Sequence, residues 1–311
     1  MSRVIAVFEA NGPLGASICR SLSQTHEVRA LMRDARTPSA NALNRSGVQV
    51  VQINYNDPST FDSALDDVYG AVVITLSDYV SSDGYEVEIA EGKVVAEACL
   101  RASVCHVIYS TQMSVLDIIG VKCRHMDAKA RVESYMKELH LPLTRLVLPL
   151  FYEHLTMPPL KPVPVQQKGF YFEIPMGHTP LNLISLEDVG NVVVEVFNQG
   201  EKFVKKSLSI SGDKMTVKDI AGTFSEVLQP KRFQDKQITS AQFRAFSVPG
   251  ADDLANMFDF FCRVDQRTNL ELTKQLNPSV RSLHQWLVDN QNAVIRAMDA
   301  QDAPCKALMA L

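Results

Sequence analysis

The 311-residue chain is 46% hydrophobic and 21% charged, ordinary proportions for a globular protein, and long enough for one large domain or two packed ones. A formal net charge of −4 offers no bulk attraction to nucleic acid or an acidic membrane surface, and no apolar stretch reaches the roughly 18 residues of a membrane span. Cys19, Cys99, Cys105, Cys123, Cys262 and Cys305 form neither a CxxC pair nor a Cys/His zinc spacing, so no metal site and reduced thiols in the cytoplasm, with the nucleus also open, are expected.

In chain order, Arg3–Phe8 reads as a buried strand and Gly15–Gln24 as a helix with Ile18 and Leu22 four apart. Glu27–Met32 and Val48–Ile53 read as the second and third strands, and Asp57 caps the helix that Pro58 opens. Ala71–Thr75 is a fourth strand, followed by a helix from Glu86 to Ala102 and a fifth strand, Val104–Tyr109. Asp127–Leu139 is then a helix and Leu143–Leu148 a sixth strand. Short Val, Ile and Ala runs alternating with helices predict βαβ units. The fold class is α/β, a Rossmann-type doubly wound parallel sheet with helices on both faces. The rhythm breaks near Pro149, and four prolines between Pro158 and Pro164 exclude regular helix and central strand. Residues 1–150 are read as the dinucleotide-binding domain and 151–311 as a smaller α/β lobe that forms a groove with it. In that lobe Ser185-Leu186-Glu187-Asp188 and Thr216-Val217-Lys218-Asp219 are capping boxes ahead of Val189–Phe197 and Ile220–Leu228. Ser207–Ile210 reads as a strand, and Leu270–Met298 as helical apart from Asn277-Pro278.

The first strand runs into Phe8-Glu9-Ala10-Asn11-Gly12-Pro13-Leu14-Gly15 and then a helix. Dinucleotide loops place glycines here for a tight turn, close approach of backbone to pyrophosphate, and helix–strand packing. Gly12 and Gly15 keep the spacing, and Asn11, Pro13 and Leu14 complete the turn. The first glycine is replaced by Glu9, which brings a negative charge toward the phosphates. Two unit charges 4 Å apart repel by roughly 4 kcal/mol at an effective dielectric near 20. Arg33, at the end of the second strand, favours a 2′-phosphate and hence NADP(H), although Asp34 follows it directly.

Other segments add to this loop: Leu31-Met32-Arg33-Asp34, His125-Met126-Asp127-Ala128-Lys129 and Leu148-Pro149-Leu150-Phe151-Tyr152-Glu153 in the first half. Further on come Val248-Pro249-Gly250-Ala251-Asp252-Asp253-Leu254-Ala255-Asn256-Met257-Phe258, Leu270-Glu271-Leu272-Thr273, Leu276-Asn277-Pro278 and Gln285-Trp286-Leu287. Through them nearly the whole chain resembles the NmrA-like family of atypical short-chain dehydrogenase/reductase relatives, most of all its animal redox-sensor members. The resemblance implies NADP(H) as ligand and a regulatory role in which cofactor occupancy alters shape, oligomerisation and partner binding. It implies cofactor contacts at Gly12, Gly15, Arg33, Lys129 and Phe151–Glu153, that is Phe151, Tyr152 and Glu153. Glu9, Asn54 (where the family has Asp) and Ala90 (where a near relative has a cofactor-contacting lysine) depart from the pattern and bear on affinity.

Active short-chain reductases carry Tyr-x-x-x-Lys on one helix face, the tyrosine transferring the proton and the lysine holding the nicotinamide ribose. The equivalent here is His125-x-x-x-Lys129, and an imidazole is shorter than a phenol. Ser110 stands where reductases keep a serine for the carbonyl oxygen, and Tyr79 lies on the loop after the fourth strand, at the sheet edge where ligands bind. Three readings follow. One is a non-catalytic NADP(H)-responsive regulator acting through protein partners, without nucleic acid or membrane, and with homodimerisation open. The second is an NADPH-dependent reductase of quinones or small carbonyls using Lys129, His125 and Ser110. The third is a cofactor-free scaffold that binds partner proteins.

Overall fold

Strands that are apolar at successive positions must be covered on both faces, and the computed structural model, which describes residues 3–166 and 168–300, arranges them so. Along the chain come β1 (Val4–Val7), α1 (Pro13–Leu22), β2 (Glu27–Met32), α2 (Pro38–Arg45), β3 (Gln49–Gln52), α3 (Ser59–Ala64) and β4 (Gly70–Val73). They are followed by α4 (Gly84–Arg101), β5 (His106–Thr111), α5 (Val115–Ile119), α6 (Arg124–Glu138), β6 (Leu143–Val147) and, later, α7 (Leu186–Gln199). The large sheet has seven strands, in the order Ser207–Ser209, β6, β5, β4, β1, β2, β3, and every neighbouring pair is parallel. Strand order reverses between β1 and β4, and ligands of doubly wound sheets bind at the carboxyl ends of such a switch point.

One face of this sheet is sealed by α1 and α7, through Ile18, Leu22, Val189, Val193 and Phe197. The other is sealed by α3, α4 and α6, through Phe61, Val95, Cys99, Val132 and Met136. The chain beyond residue 150 therefore serves both lobes: α7 and the strand Ser207–Ser209 complete the first sheet, while two three-stranded sheets and the remaining helices build the second lobe. The second core is phenylalanine-rich, with Phe172, Phe224, Phe243, Phe258 and Phe260 fully buried. Pro164 sits in the edge strand Val163–Val165, where a missing N–H costs no ladder bond.

The expected strands form within a few residues of their predicted bounds, and α2 and α5 are additional elements. Helix α6 begins at Arg124 rather than Asp127, because the buried Asp127 carboxylate reaches back to the N–H of Cys123 (2.7 Å) and also accepts from Leu116 N–H (3.0 Å). The Thr216–Asp219 capping box closes as expected. At Ser185 the carboxylate that meets the first helical N–H belongs to Glu153, and Asp188 instead holds Arg281. No described helix is long and apolar enough to cross a membrane. The described cysteines are free thiols; Cys305 lies outside the described residues.

Candidate functional site

The groove begins at the turn between β1 and α1. Gly12 is the N-cap of α1 and Pro13 occupies its first turn, so one backbone donor is missing while those of Leu14 and Gly15 remain. Gly15 is obligatory for packing: a Cβ there would lie 2.5 Å from the Glu9 carbonyl oxygen and 2.8 Å from the Ala10 Cα. Glu9 itself sits at φ +50, the left-handed region that glycine enters freely and other residues at a cost of about 1–2 kcal/mol.

The Glu9 side chain is only 3% exposed. Its Oε1 accepts from the Tyr55 hydroxyl (2.8 Å) and from Arg33 Nε (3.2 Å) and Nη2 (3.1 Å). The far edge of the Arg33 guanidinium forms two 2.8 Å bonds to Glu91 on α4, and its face lies 4.5 Å from the Tyr55 ring centroid. Burial opposes the Arg33 charge, but the Glu91 hydrogen bonds and the two carboxylates outweigh it and push its pKa up. Arg33 is thus held between two acids of its own chain, which removes the unpaired cation that the sequence offered to a 2′-phosphate. Asp34 turns away to Arg36 (2.9 Å). Asn54 closes a local turn on Asn56 N–H (3.0 Å), and Ala90 is exposed on α4 beside Glu91.

At the other end of the groove Lys129 Nζ donates to Glu88 Oε1 (2.6 Å) and to the Thr75 carbonyl (2.7 Å). Glu88 is buried, and it also accepts from Thr75 Oγ1 (2.7 Å) and Ser77 Oγ (2.8 Å). Tyr109 hydroxyl lies 3.1 Å from Thr75 Oγ1. His125 is one turn before Lys129 on α6, and its Nδ1 is engaged by Asp253 of the helix Ala251–Arg263. Burial alone would lower the imidazole pKa; the Cys123, Tyr79 and Asp253 groups around it outweigh that and raise it well above the ordinary value. The Asp253 carboxyl is lowered in turn by His125, against the opposing effect of burial. The Tyr79 ring packs 5.3 Å from the His125 ring, and burial pushes its hydroxyl up to about 12. Gly250, at φ +77, lets the second lobe close over Tyr79: a Cβ there would lie 2.7 Å from its Cδ1.

Between these groups lies a mainly apolar cavity of about 130 Å³, with Leu14, Ser110, Lys129, Phe151, His154 and Met257 among its walls. A second cavity of about 450 Å³ shares Ser77, Tyr79 and His125 with it and extends toward Tyr85, Arg124 and Arg244. The structure therefore brings Leu14, Tyr79, Ser110, His125, Lys129 and Phe151 together. Two other expected contacts lie elsewhere. The Tyr152 hydroxyl donates to Asp213 (2.9 Å) within the second lobe, and Glu153 accepts from Ser185 Oγ (2.9 Å) at the start of α7. Sequence reasoning missed Glu88, Glu91 and Asp253. Glutamates on a long helix read as its solvent face, and Asp253 meets His125 across 128 residues. It also missed the grouping of Cys123, His125 and Asp253, whose donor atoms lie within 4.8 Å of one another. Cys123 Sγ is 3.6 Å from the same Nδ1 that faces Asp253, so His125 relays nothing from thiol to carboxylate.

Can these residues hold a nicotinamide dinucleotide? The bare N-terminus of α1, the close approach allowed by Gly15 and the cavity beside Lys129 suit the diphosphate and the nicotinamide. At the adenosine end Glu9 and Glu91 both hold Arg33, the cation that the sequence offered to a 2′-phosphate. Among the groove groups described, the cations Arg33, Lys129 and His125 all have carboxylate partners.

The NmrA-like family model matches residues 1–286. The NmrA-like family domain-containing oxidoreductase lnaB of Aspergillus flavus is 24% identical over 278 residues, covering 83% of each chain. Among solved structures, NmrA, a negative transcriptional regulator, in complex with NADP superposes with a TM-score of 0.82 at 20% identity, over 96% of this chain and 98% of that one. The same regulator in complex with NAD gives 0.81 at 20% identity, over 96% and 98%. The NADPH-dependent quinone oxidoreductase QOR2 of Escherichia coli, complexed with NADPH, gives 0.75 at 19% identity, over 93% and 99%.

Proposed function

Because the chain belongs to the NmrA-like family, we propose that it is a regulatory protein that takes a nicotinamide dinucleotide into its groove without turning it over and signals the occupancy to protein partners. The observation that carries this reading is the state of the acid position. A reductase needs a proton donor free to reach the substrate. His125 stands there in place of the tyrosine, an imidazole shorter than a phenol, held by Asp253 at Nδ1 and packed against Tyr79 under the Gly250–Asp253 segment, so that only Nε2, one turn before Lys129, is left to carry a proton. A bound dinucleotide would supply a hydride; the chain's own part is to hold the diphosphate at the start of α1 and the nicotinamide ribose near Lys129 and Ser110. An occupant of the cavity meets Leu14 and Lys129 on one side and Leu254 and Met257 on the other, and shifts how these parts sit by as much as it prefers one arrangement over another. Protein partners rather than nucleic acid or a membrane are favoured by the net charge of −4, and the cytoplasm and nucleus are the expected compartments, with homodimerisation as one form of partner binding. Calorimetric titration with NADH and NADPH tests the reading. Uptake at sub-millimolar concentration supports it, and no uptake of either overturns it.

The apolar cavity beside Lys129 and Ser110 favours a second reading, an NADPH-dependent reductase of flat apolar acceptors such as quinones, for which hydride delivery needs less acid assistance. Consumption of reduced cofactor with a quinone panel, above that of cofactor and quinone alone, would establish it.

A further inference from the structure

The dinucleotide fold and the acids at its adenosine end pull in different directions, and the disagreement is informative. Resting on the reading that the groove takes a nicotinamide dinucleotide, we infer that Glu9, backed by Glu91, is a specificity-determining residue that selects NAD(H) over NADP(H). Arg33 has five N–H donors, and four of them already point at carboxylate oxygens: Nε and one on Nη2 to Glu9, one each on Nη1 and Nη2 to Glu91. A 2′-phosphate, with nearly two negative charges, has to take those donors. Taking the two donors that Glu9 holds leaves that carboxylate, 3% exposed, without its cation, and taking the two that Glu91 holds still sets the new anion beside Glu9. An unphosphorylated ribose needs none of this. Its 2′-hydroxyl is a neutral donor, and a carboxylate is the group that accepts it in dinucleotide folds.

Glu9 has the capacity to do so. Among the described residues its three hydrogen bonds all fall on Oε1, from Tyr55 and twice from Arg33, which leaves Oε2 to accept a hydroxyl. The carboxylate is also held firmly, by the Tyr55 hydroxyl and a guanidinium whose second edge is anchored on α4. The backbone at Glu9 lies at φ +50, so the side chain is kept at this place against its own conformational preference. The acid that reads the ribose in this chain has moved from the end of β2, where Arg33-Asp34 stand, to the first glycine position of the loop.

The test is calorimetric titration of NADH and NADPH into the wild-type chain and into Glu9→Gly, Glu9→Gln and Glu91→Gln, with thermal unfolding of each. The two glutamine variants keep the side-chain shape, so the comparison survives if Glu9→Gly folds poorly. The wild type is expected to bind NADH about tenfold or more tightly than NADPH. Glu91→Gln is expected to tighten NADPH by about tenfold and leave NADH nearly unchanged, and both Glu9 variants to narrow or reverse the preference. Equal or tighter binding of NADPH by the wild type overturns the inference and leaves the dinucleotide reading standing. A wild type that binds neither overturns both.

Discussion

The adenosine and nicotinamide ends of the groove use the same device with different consequences. Each sets a basic side chain against a carboxylate of the same chain. At the adenosine end Arg33 is 42% exposed between Glu9 and Glu91, and its loop carries the left-handed backbone of Glu9. At the nicotinamide end Lys129 is 15% exposed and its partner Glu88 only 1%. At the adenosine end the half-exposed cation over a buried acid meets whatever charge enters the groove, whereas the Lys129–Glu88 pair is desolvated on both sides and tied to the fold, because removing one partner strands the other. The first pair is thus a device of selectivity and the second a device of stability.

The largest effect is expected at the buried end. Lys129→Ala leaves Glu88 charged and unpaired, and unfolding in urea is expected to show a loss of about 3–5 kcal/mol, recovered in large part by Lys129→Met combined with Glu88→Gln. A loss under about 1 kcal/mol for Lys129→Ala would erase the distinction between the two ends.

Next in size is an acid effect from His154, on the cavity wall. Burial lowers its pKa to about 4, and its Nδ1 accepts the Phe151 N–H (3.0 Å), so the fold needs the neutral ring. A depressed histidine pKa means that stability is fully present above the unfolded value near 6.5 and is lost as pH falls toward 4. About 1.4 kcal/mol per unit makes this roughly 3 kcal/mol across that window, and His106, also lowered to about 4 by burial, adds in the same direction. Denaturant unfolding between pH 4 and 7 is expected to show a steep acid limb that His154→Asn makes shallower.

His125 works in the opposite sense. Its raised pKa means that its contribution is complete below the unfolded value and fades as pH rises through the folded one, while that of Asp253, lowered, fades as pH falls through its folded value. Asp253→Asn is expected to cost about 1.5–3 kcal/mol at pH 7 and to flatten the alkaline limb. The smallest effect belongs to the adenosine end. Glu9→Gly loses its bonds to Arg33 and Tyr55 but relieves the left-handed backbone, so the change in unfolding free energy is expected within about 1 kcal/mol of zero.

Much of the fold was legible because covered parallel strands repeat in short apolar runs that local composition reveals. Helix α2 was not, since only Ala40 and Leu43 of its eight residues are buried and two of the others are asparagines. The site was legible by halves. Glu9, Arg33, His125 and Lys129 stand out against a known loop and helix pattern, whereas their partners do not. Glu88 and Glu91 lie on α4, where glutamate is an ordinary surface residue, and Asp253 sits in the second lobe inside Val248–Phe258, a stretch that marks the family without stating its chemistry. Tyr152 and Glu153 were assigned to the cofactor through the family segment Phe151–Glu153; the Tyr152 side chain turns into the second lobe and that of Glu153 to the start of α7. Electrostatic pairing joins residues far apart in sequence, so no local pattern records it.

The central claim is that the groove holds a nicotinamide dinucleotide and does not turn it over. The direct measurement mixes the protein, in excess, with NADH and a quinone and follows the nicotinamide fluorescence. An immediate change on binding is expected, and then no decay beyond that of NADH and quinone alone. A decay whose rate rises with protein concentration would contradict the claim.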